Sequence, residues 1–177
     1  MLPFSCRVCA LRSALVDGQI RIFMSHTTEQ FTHATRPQRT REPLHGHNYR
    51  VMIKGEVSEL SGDMVFDFLD IKPIVREVCD SLDHKLLIPR ENTQIEIHTK
   101  DKNINIKTPC GSQFSFPQED VLLLPILNTS AERLAIYINS EVRRITKERF
   151  NFKFASLEIE VEETPGQSAV YIHKEEL

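Results

Sequence analysis

The sequence predicts an α+β domain built on an antiparallel sheet, and three patterns carry that prediction. Apolar and polar positions alternate before the first helix and again at the end of the chain. Two apolar stripes at helical spacing mark helices, and turn residues separate the strands at short intervals. A chain of 177 residues matches one domain with a core of ordinary size. The expected organisation is an extension over residues 1–20, then one domain over 21–177 with an insert near 91–119.

Composition narrows the function classes. With 40% apolar and 27% charged residues the chain reads as a soluble protein. A net charge of −3 without a basic tract gives nucleic acid no electrostatic support. No apolar run approaches the roughly 18 residues that span a bilayer. Cys6 and Cys9 form a C-x-x-C pair, but Cys79 and Cys110 supply no second pair, so a four-thiolate zinc site is unavailable. Free thiols in a reducing compartment, hence a cytoplasmic location, are expected. The leading residues carry arginine and no acid before Asp17, which an organellar leader, a disordered extension or a start at Met24 would share.

Gln30-Phe31-Thr32-His33 is read as a strand end, and residues 34–41, with three arginines and a proline, as an exposed loop. Residues 44–57 form the next strand. Tyr49, Val51, Ile53 and Val57 share one side, while Arg50, Lys54 and Glu56 share the other. His45 and His47 have the parity of the apolar side, where two imidazoles need partners such as a metal ion. Ser61-Gly62-Asp63 is the expected turn into a second hairpin strand over 64–68. Ile71, Ile74, Val75, Val78 and Leu82 then form one helical stripe ending before Asp83-His84-Lys85. Asp67 or Asp70 can cap it, and Pro73 favours Asp70, which keeps the proline in the first turn.

Residues 95–98 and 103–106 alternate around Lys100-Asp101-Lys102 as a hairpin, with a further turn at Cys110-Gly111. Residues 121–124 form a short buried strand. A second helix carries Leu134, Ile138, Val142 and Ile145 inward, with Thr129 and Glu132 in capping-box spacing. Strands over 157–163 and 169–172 flank Pro165-Gly166.

A catalytic zinc takes three protein ligands and keeps one position open. His45 and His47 supply two; His33 is the best-placed third, His26 the runner-up, and His98 lies in the insert. Asp83-His84 is an acid–base pair in principle, or else a helix end whose histidine complements the dipole. Glu158, Glu160 and Glu162 face water, whereas Glu163 falls on the buried side. There an unpaired carboxylate is costly, and a heterocycle offering two adjacent N–H groups would satisfy both oxygens.

Leu44-His45-Gly46-His47-Asn48-Tyr49, Leu82-Asp83-His84-Lys85 and Val161-Glu162-Glu163-Thr164 together resemble the 6-pyruvoyl-tetrahydropterin synthase family and the related 6-carboxytetrahydropterin synthases. Phe31-Thr32-His33 resembles the strand end with the first zinc histidine, and Thr129-Ser130-Ala131-Glu132 the opening of the second helix. The resemblance covers about residues 30–174. It implies a tunnelling fold, a four-stranded antiparallel sheet backed by two helices, assembled as a homohexamer of two trimers with active sites between subunits. It further implies Zn2+ on His33, His45 and His47, Glu163 and Thr129 binding the pterin, and Asp83 with His84 handling protons.

The implied activity is that of a zinc-dependent lyase on 7,8-dihydroneopterin triphosphate, in tetrahydrobiopterin or folate biosynthesis. Zinc on the side-chain hydroxyls would acidify adjacent bonds. The product would be 6-pyruvoyl-tetrahydropterin or 6-hydroxymethyl-dihydropterin. The alternatives are a 6-carboxytetrahydropterin synthase of deazapurine biosynthesis and a non-catalytic pterin binder. One departure bears on the choice. Where family members place a catalytic cysteine, four residues before the first histidine of the pair, this chain has Arg41. Glu42 follows it, resembling a subgroup in which glutamate replaces the cysteine. The insert, longer than in short members, reads as an added hairpin at an oligomer contact.

Overall fold

The computed structural model describes residues 22–30, 44–58 and 65–175; for 22–30 and His45 it describes the backbone course alone. His33, Glu42, the 1–20 extension, the C-x-x-C pair and the expected 34–41 loop lie outside the described residues. The elements are β1 (Ile22–Gln30), β2 (His45–Glu56), α1 (Phe68–Leu82), β3 (Leu86–Pro89), β4 (Glu96–Lys100), β5 (Asn103–Lys107), β6 (Gln113–Pro117), a 3-10 turn (Gln118–Asp120), β7 (Val121–Leu124), α2 (Ala131–Phe150), β8 (Ser156–Thr164) and β9 (Gln167–Lys174).

The main sheet runs β7-β3-β1-β2-β8-β9. Its last four strands are antiparallel, the expected four-stranded sheet, and the short β3 and β7 extend it in parallel beyond β1. The parity of β2 holds: Tyr49, Val51 and Ile53 are buried, while Arg50 is exposed. Opposite them, Leu157, Ile159 and Val161 of β8 are fully buried on the same face. The stripes of α1 (Ile71, Ile74, Val75, Val78, Leu82) and α2 (Leu134, Ile138, Val142, Ile145) cover that face and form one core with it. Each such aliphatic side chain contributes roughly 1.5–3 kcal/mol on burial, so this layer holds the sheet to the helices.

Four local expectations are corrected. Val65 and Phe66 form a bend and Phe68 opens α1, so the described part of the supposed strand over 64–68 pairs with nothing; β2 takes β1 and β8 as neighbours instead. The cap of α1 is Asp67, which accepts from the Leu69 N–H at 2.8 Å, and Pro73 lies inside the helix. The carbonyl deprived of its partner belongs to Leu69, a residue 79% exposed, so water can take the missing donor's place. In α2 the cap is Ser130 without a side-chain bond; Thr129 is wholly buried just before it, its N–H held by the Asn128 side chain at 2.9 Å. The insert is a three-stranded sheet, β4-β5-β6, rather than a hairpin.

That insert explains β3. All four β3 residues are buried. Leu87 faces the main core, whereas Leu86 and Ile88 join Ile104 and Ile106 of β5 in a second cluster, against which Phe114 and Phe116 pack. The insert therefore covers the back of β3 within one chain. A strand buried on both faces shows a continuous apolar run instead of alternation, which is why Leu86-Leu87-Ile88 gave no strand signal.

Gly55 is set by a close approach. A Cβ there would lie 2.7 Å from the Phe154 ring, and that ring is wedged edge-on against Phe152 at 4.8 Å. Gly55→Ala should lower stability by about 1–3 kcal/mol, read as a lower denaturant midpoint at unchanged slope. An unchanged midpoint would show that the Phe154 pocket yields freely.

Candidate active site at the β2–β8 end of the sheet

Strand registers bring the sequence-predicted residues to one end of the sheet. Gln30 of β1 lies opposite His45, Thr28 opposite His47, and Leu86, just past the Asp83-His84 turn, beside Glu29. On the other side of β2, Arg50 pairs with Glu162, which sets Glu163 beside the level of Tyr49. His33 lies outside the described residues, three positions beyond Gln30. His26 is registered opposite Tyr49. His98 sits exposed on β4 of the separate insert sheet, 3.9 Å from Glu96, and does not join the site.

The described centre of the site is a triad of side chains. Glu163 Oε1 lies 3.4 Å from His47 Nε2 and accepts from the Tyr49 hydroxyl at 3.4 Å. The His47 and Tyr49 rings stand 5.9 Å apart. Glu163 is 29% exposed and His47 17%, so the carboxylate is half-buried, yet open to a ligand. A β-bulge falls between Glu162 and Thr164 in the β8–β9 pairing. A bulge bends its strand and re-aims the extra residue. Here that residue is Glu163, and simple alternation could not reveal the bulge.

The opposite sheet face behaves differently. Glu162 and Glu160 turn away from the helices as expected, but they are half-buried and partnered rather than simply solvated. Arg50 Nη1 reaches Glu162 at 2.7 Å, and the Ser168 hydroxyl donates to Glu160 at 2.6 Å.

Sequence reasoning assigned Tyr49 to the core without a chemical role. Its ring is buried and its hydroxyl reaches Glu163. Burial first, then the Glu163 charge, raises the phenol far above its usual value, so it stays neutral and acts as a donor. The inward parity of a tyrosine between two metal-type histidines and an apolar run was the available signal.

Asp83 and His84 close α1. Asp83 Oδ2 lies 2.8 Å from His84 Nδ1, while Oδ1 accepts from the His84 N–H at 3.1 Å. The carboxylate so fixes the proton on Nδ1 and presents Nε2 outward from a ring 84% exposed. The His84 ring bonds the side chain of Asp83 at the end of α1. Thr129 is wholly buried at the entrance to α2.

No group of three or more metal-type side chains assembles among the described residues. The donor chemistry nevertheless fits zinc: His45 and His47 are alternate residues of β2, and Gln30 at the end of β1 pairs with His45. Neither described thiol replaces the missing cysteine. Cys110 is exposed in the β5–β6 turn, and Cys79 is buried on α1, lining a void of about 20 Å³ behind Tyr49. Burial, then the charge of Asp80, pushes the Cys79 thiol up to about 12. Alkylation of the native protein at neutral pH, mapped by peptide mass, should label Cys110 and spare Cys79; rapid labelling of Cys79 would contradict its core placement.

Residues 20–174 match the family described as 6-pyruvoyl tetrahydropterin synthase. A protein of Methanocaldococcus jannaschii called "Putative 6-carboxy-5,6,7,8-tetrahydropterin synthase" is 41% identical over 133 residues, covering 72% of this chain and 78% of its own. The 6-pyruvoyl tetrahydropterin synthase of Plasmodium vivax superposes with a TM-score of 0.75 at 27% identity, covering 89% of this chain and 99% of its own. Two further structures of that enzyme are described as catalytic residue mutants, with one glutamate replaced by alanine or by cysteine. The Plasmodium falciparum enzyme gives the same TM-score of 0.75 at 28% identity, with the same coverage of both chains, 89% and 99%. The chain belongs to the 6-pyruvoyl tetrahydropterin synthase family.

Proposed function

We propose that this pterin synthase takes 7,8-dihydroneopterin triphosphate and water and releases 6-carboxytetrahydropterin, the product used in deazapurine biosynthesis, with acetaldehyde and triphosphate as the other products. The observation that carries the pterin reading is the half-buried Glu163 carboxylate held beside His47 and Tyr49 at the end of β2. The choice of product is supported by the M. jannaschii relative, and it favours the 6-carboxy alternative over the products expected first. A second reading, release of 6-pyruvoyl-tetrahydropterin or 6-hydroxymethyl-dihydropterin, is favoured by the likeness to the P. vivax enzyme. A glutamate of that enzyme is called a catalytic residue, and this chain offers Glu42 one position after Arg41, where cysteine is expected.

In this mechanism Glu163 accepts two adjacent N–H groups of the pterin ring, one on each oxygen. Tyr49 steadies one of those oxygens from below. Thr129, wholly buried just before α2, backs this end of the core and offers the ring no exposed atom in this conformation. Asp83 holds the His84 proton on Nδ1, so that Nε2 is free to take a proton from the substrate side chain. Glu42 serves as the second base. His33, His45 and His47 would hold Zn2+, which when bound polarises the substrate hydroxyls and eases loss of the neighbouring protons. We extend the assembly to a homohexamer of two trimers; Val170 and Ile172, about half exposed on the edge strand β9, support association through that edge.

Incubation of zinc-loaded protein with 7,8-dihydroneopterin triphosphate, followed by chromatography and mass spectrometry, tests the reading. A 6-carboxytetrahydropterin peak supports it, either other product selects the second reading, and no turnover removes both. Glu42→Gln should abolish turnover at unchanged zinc content; persistent activity would place the base elsewhere. His33→Ala should strip zinc far more than His26→Ala, and the reverse ranking would overturn the ligand set. Tyr49→Phe should raise KM roughly fivefold, the value of one hydrogen bond of about 1 kcal/mol, with zinc retained.

A further inference from the structure

We infer that the insert braces the acid–base corner, and that Lys85 is the positioning residue through which it does so. The inference rests on the reading of Asp83 and His84 as the proton-handling pair.

His84 holds a left-handed backbone, φ 54°, in the turn between α1 and β3. A residue with a Cβ adopts that conformation uncommonly, so the turn needs contacts that hold it. Upstream, the Asp83 N–H bonds the Asp80 carbonyl at 3.3 Å and the Asp83 carboxylate grips His84 twice. These contacts are all local and turn with the corner. One restraint against the rest of the molecule lies downstream. Lys85 Nζ donates to the carbonyl of Glu119, and the next residue, Leu86, pairs with Val121.

Glu119 lies in the 3-10 turn that closes the insert. That turn is itself fastened: the Gln118 N–H donates at 2.8 Å to the carbonyl of Lys102, in the β4–β5 turn. Asp101 and Lys102 are both left-handed there, with φ 51° and 66°, which gives the hairpin a tight, fixed tip. The insert sheet is in turn bound to the back of β3 by the second apolar cluster. A continuous path so runs from the insert's tip through the 3-10 turn to Lys85, adjacent to His84. An ammonium donating to a carbonyl is a charge-assisted bond, stronger than a neutral one, and can hold a strained corner in place.

The test uses the full-length zinc-loaded protein with Lys85→Met, which keeps length and loses the donor, and Lys85→Arg, which restores one. Two readouts are taken: kcat and KM on 7,8-dihydroneopterin triphosphate, and the His84 ring resonances by NMR without substrate. Lys85→Met should lower kcat about tenfold with KM within roughly twofold, and should shift or broaden the His84 resonances. Lys85→Arg should recover both. Unaltered His84 resonances in folded Lys85→Met protein would overturn the inference. So would a loss that Lys85→Arg does not rescue. If the wild type fails to turn over this substrate, the reaction assignment falls, and the His84 resonances alone decide whether the brace exists.

Discussion

The register of β2 between β1 and β8 is the constraint on which the site depends. Tyr49, Val51 and Ile53 must face the helices, because they are the middle of the core. That requirement fixes the parity of His45 and His47 as well, since they continue the same strand. Pairing with β8 then brings Glu163 to Tyr49 and His47. A slip of one residue would turn every one of these side chains to the other face. The energy that maintains the site is therefore mostly the burial of aliphatic residues one turn of sheet away from it. The 3.4 Å contacts within the triad are too long to hold it by themselves.

The parts of this arrangement that are periodic were legible in the sequence. The helical stripes of α1 and α2, the alternation of β2 and the buried parity of Glu163 follow from spacing alone. What escaped has physical reasons. β3 is buried on both faces, so its pattern is a run rather than an alternation. Of the two possible caps of α1, Pro73 favours Asp70 by keeping the proline in the first turn, whereas the exposure of Leu69 lets Asp67 serve with Pro73 deeper in the helix. The bulge at Glu163 is a property of pairing with β9, and a single strand's sequence does not contain it. Tyr49 looked like core because it is core; only its hydroxyl belongs to the site.

The molecule thus carries two cores that share β3. The larger fixes the end of the sheet that carries His47, Tyr49 and Glu163 through β2 and β8; the smaller ties the insert to the strand that follows the Asp83-His84 turn. The proposed ring anchor, Glu163, and the proposed proton carrier, His84, stand on different elements. Each group is held by the core beneath its own strand, and β1, lying between β2 and β3, joins the two halves.

The central claim is that the β2–β8 register builds a pterin-ring site around the Glu163 carboxylate. Calorimetric binding of a non-reacting 7,8-dihydropterin to zinc-loaded wild-type and Glu163→Gln proteins tests it most directly. Glutamine keeps the shape but removes the charge and turns one acceptor into a donor. Affinity should then fall roughly 10- to 100-fold at unchanged zinc content, the value of charged hydrogen bonds of about 1.5–3 kcal/mol. Equal affinity in the two proteins would contradict the account.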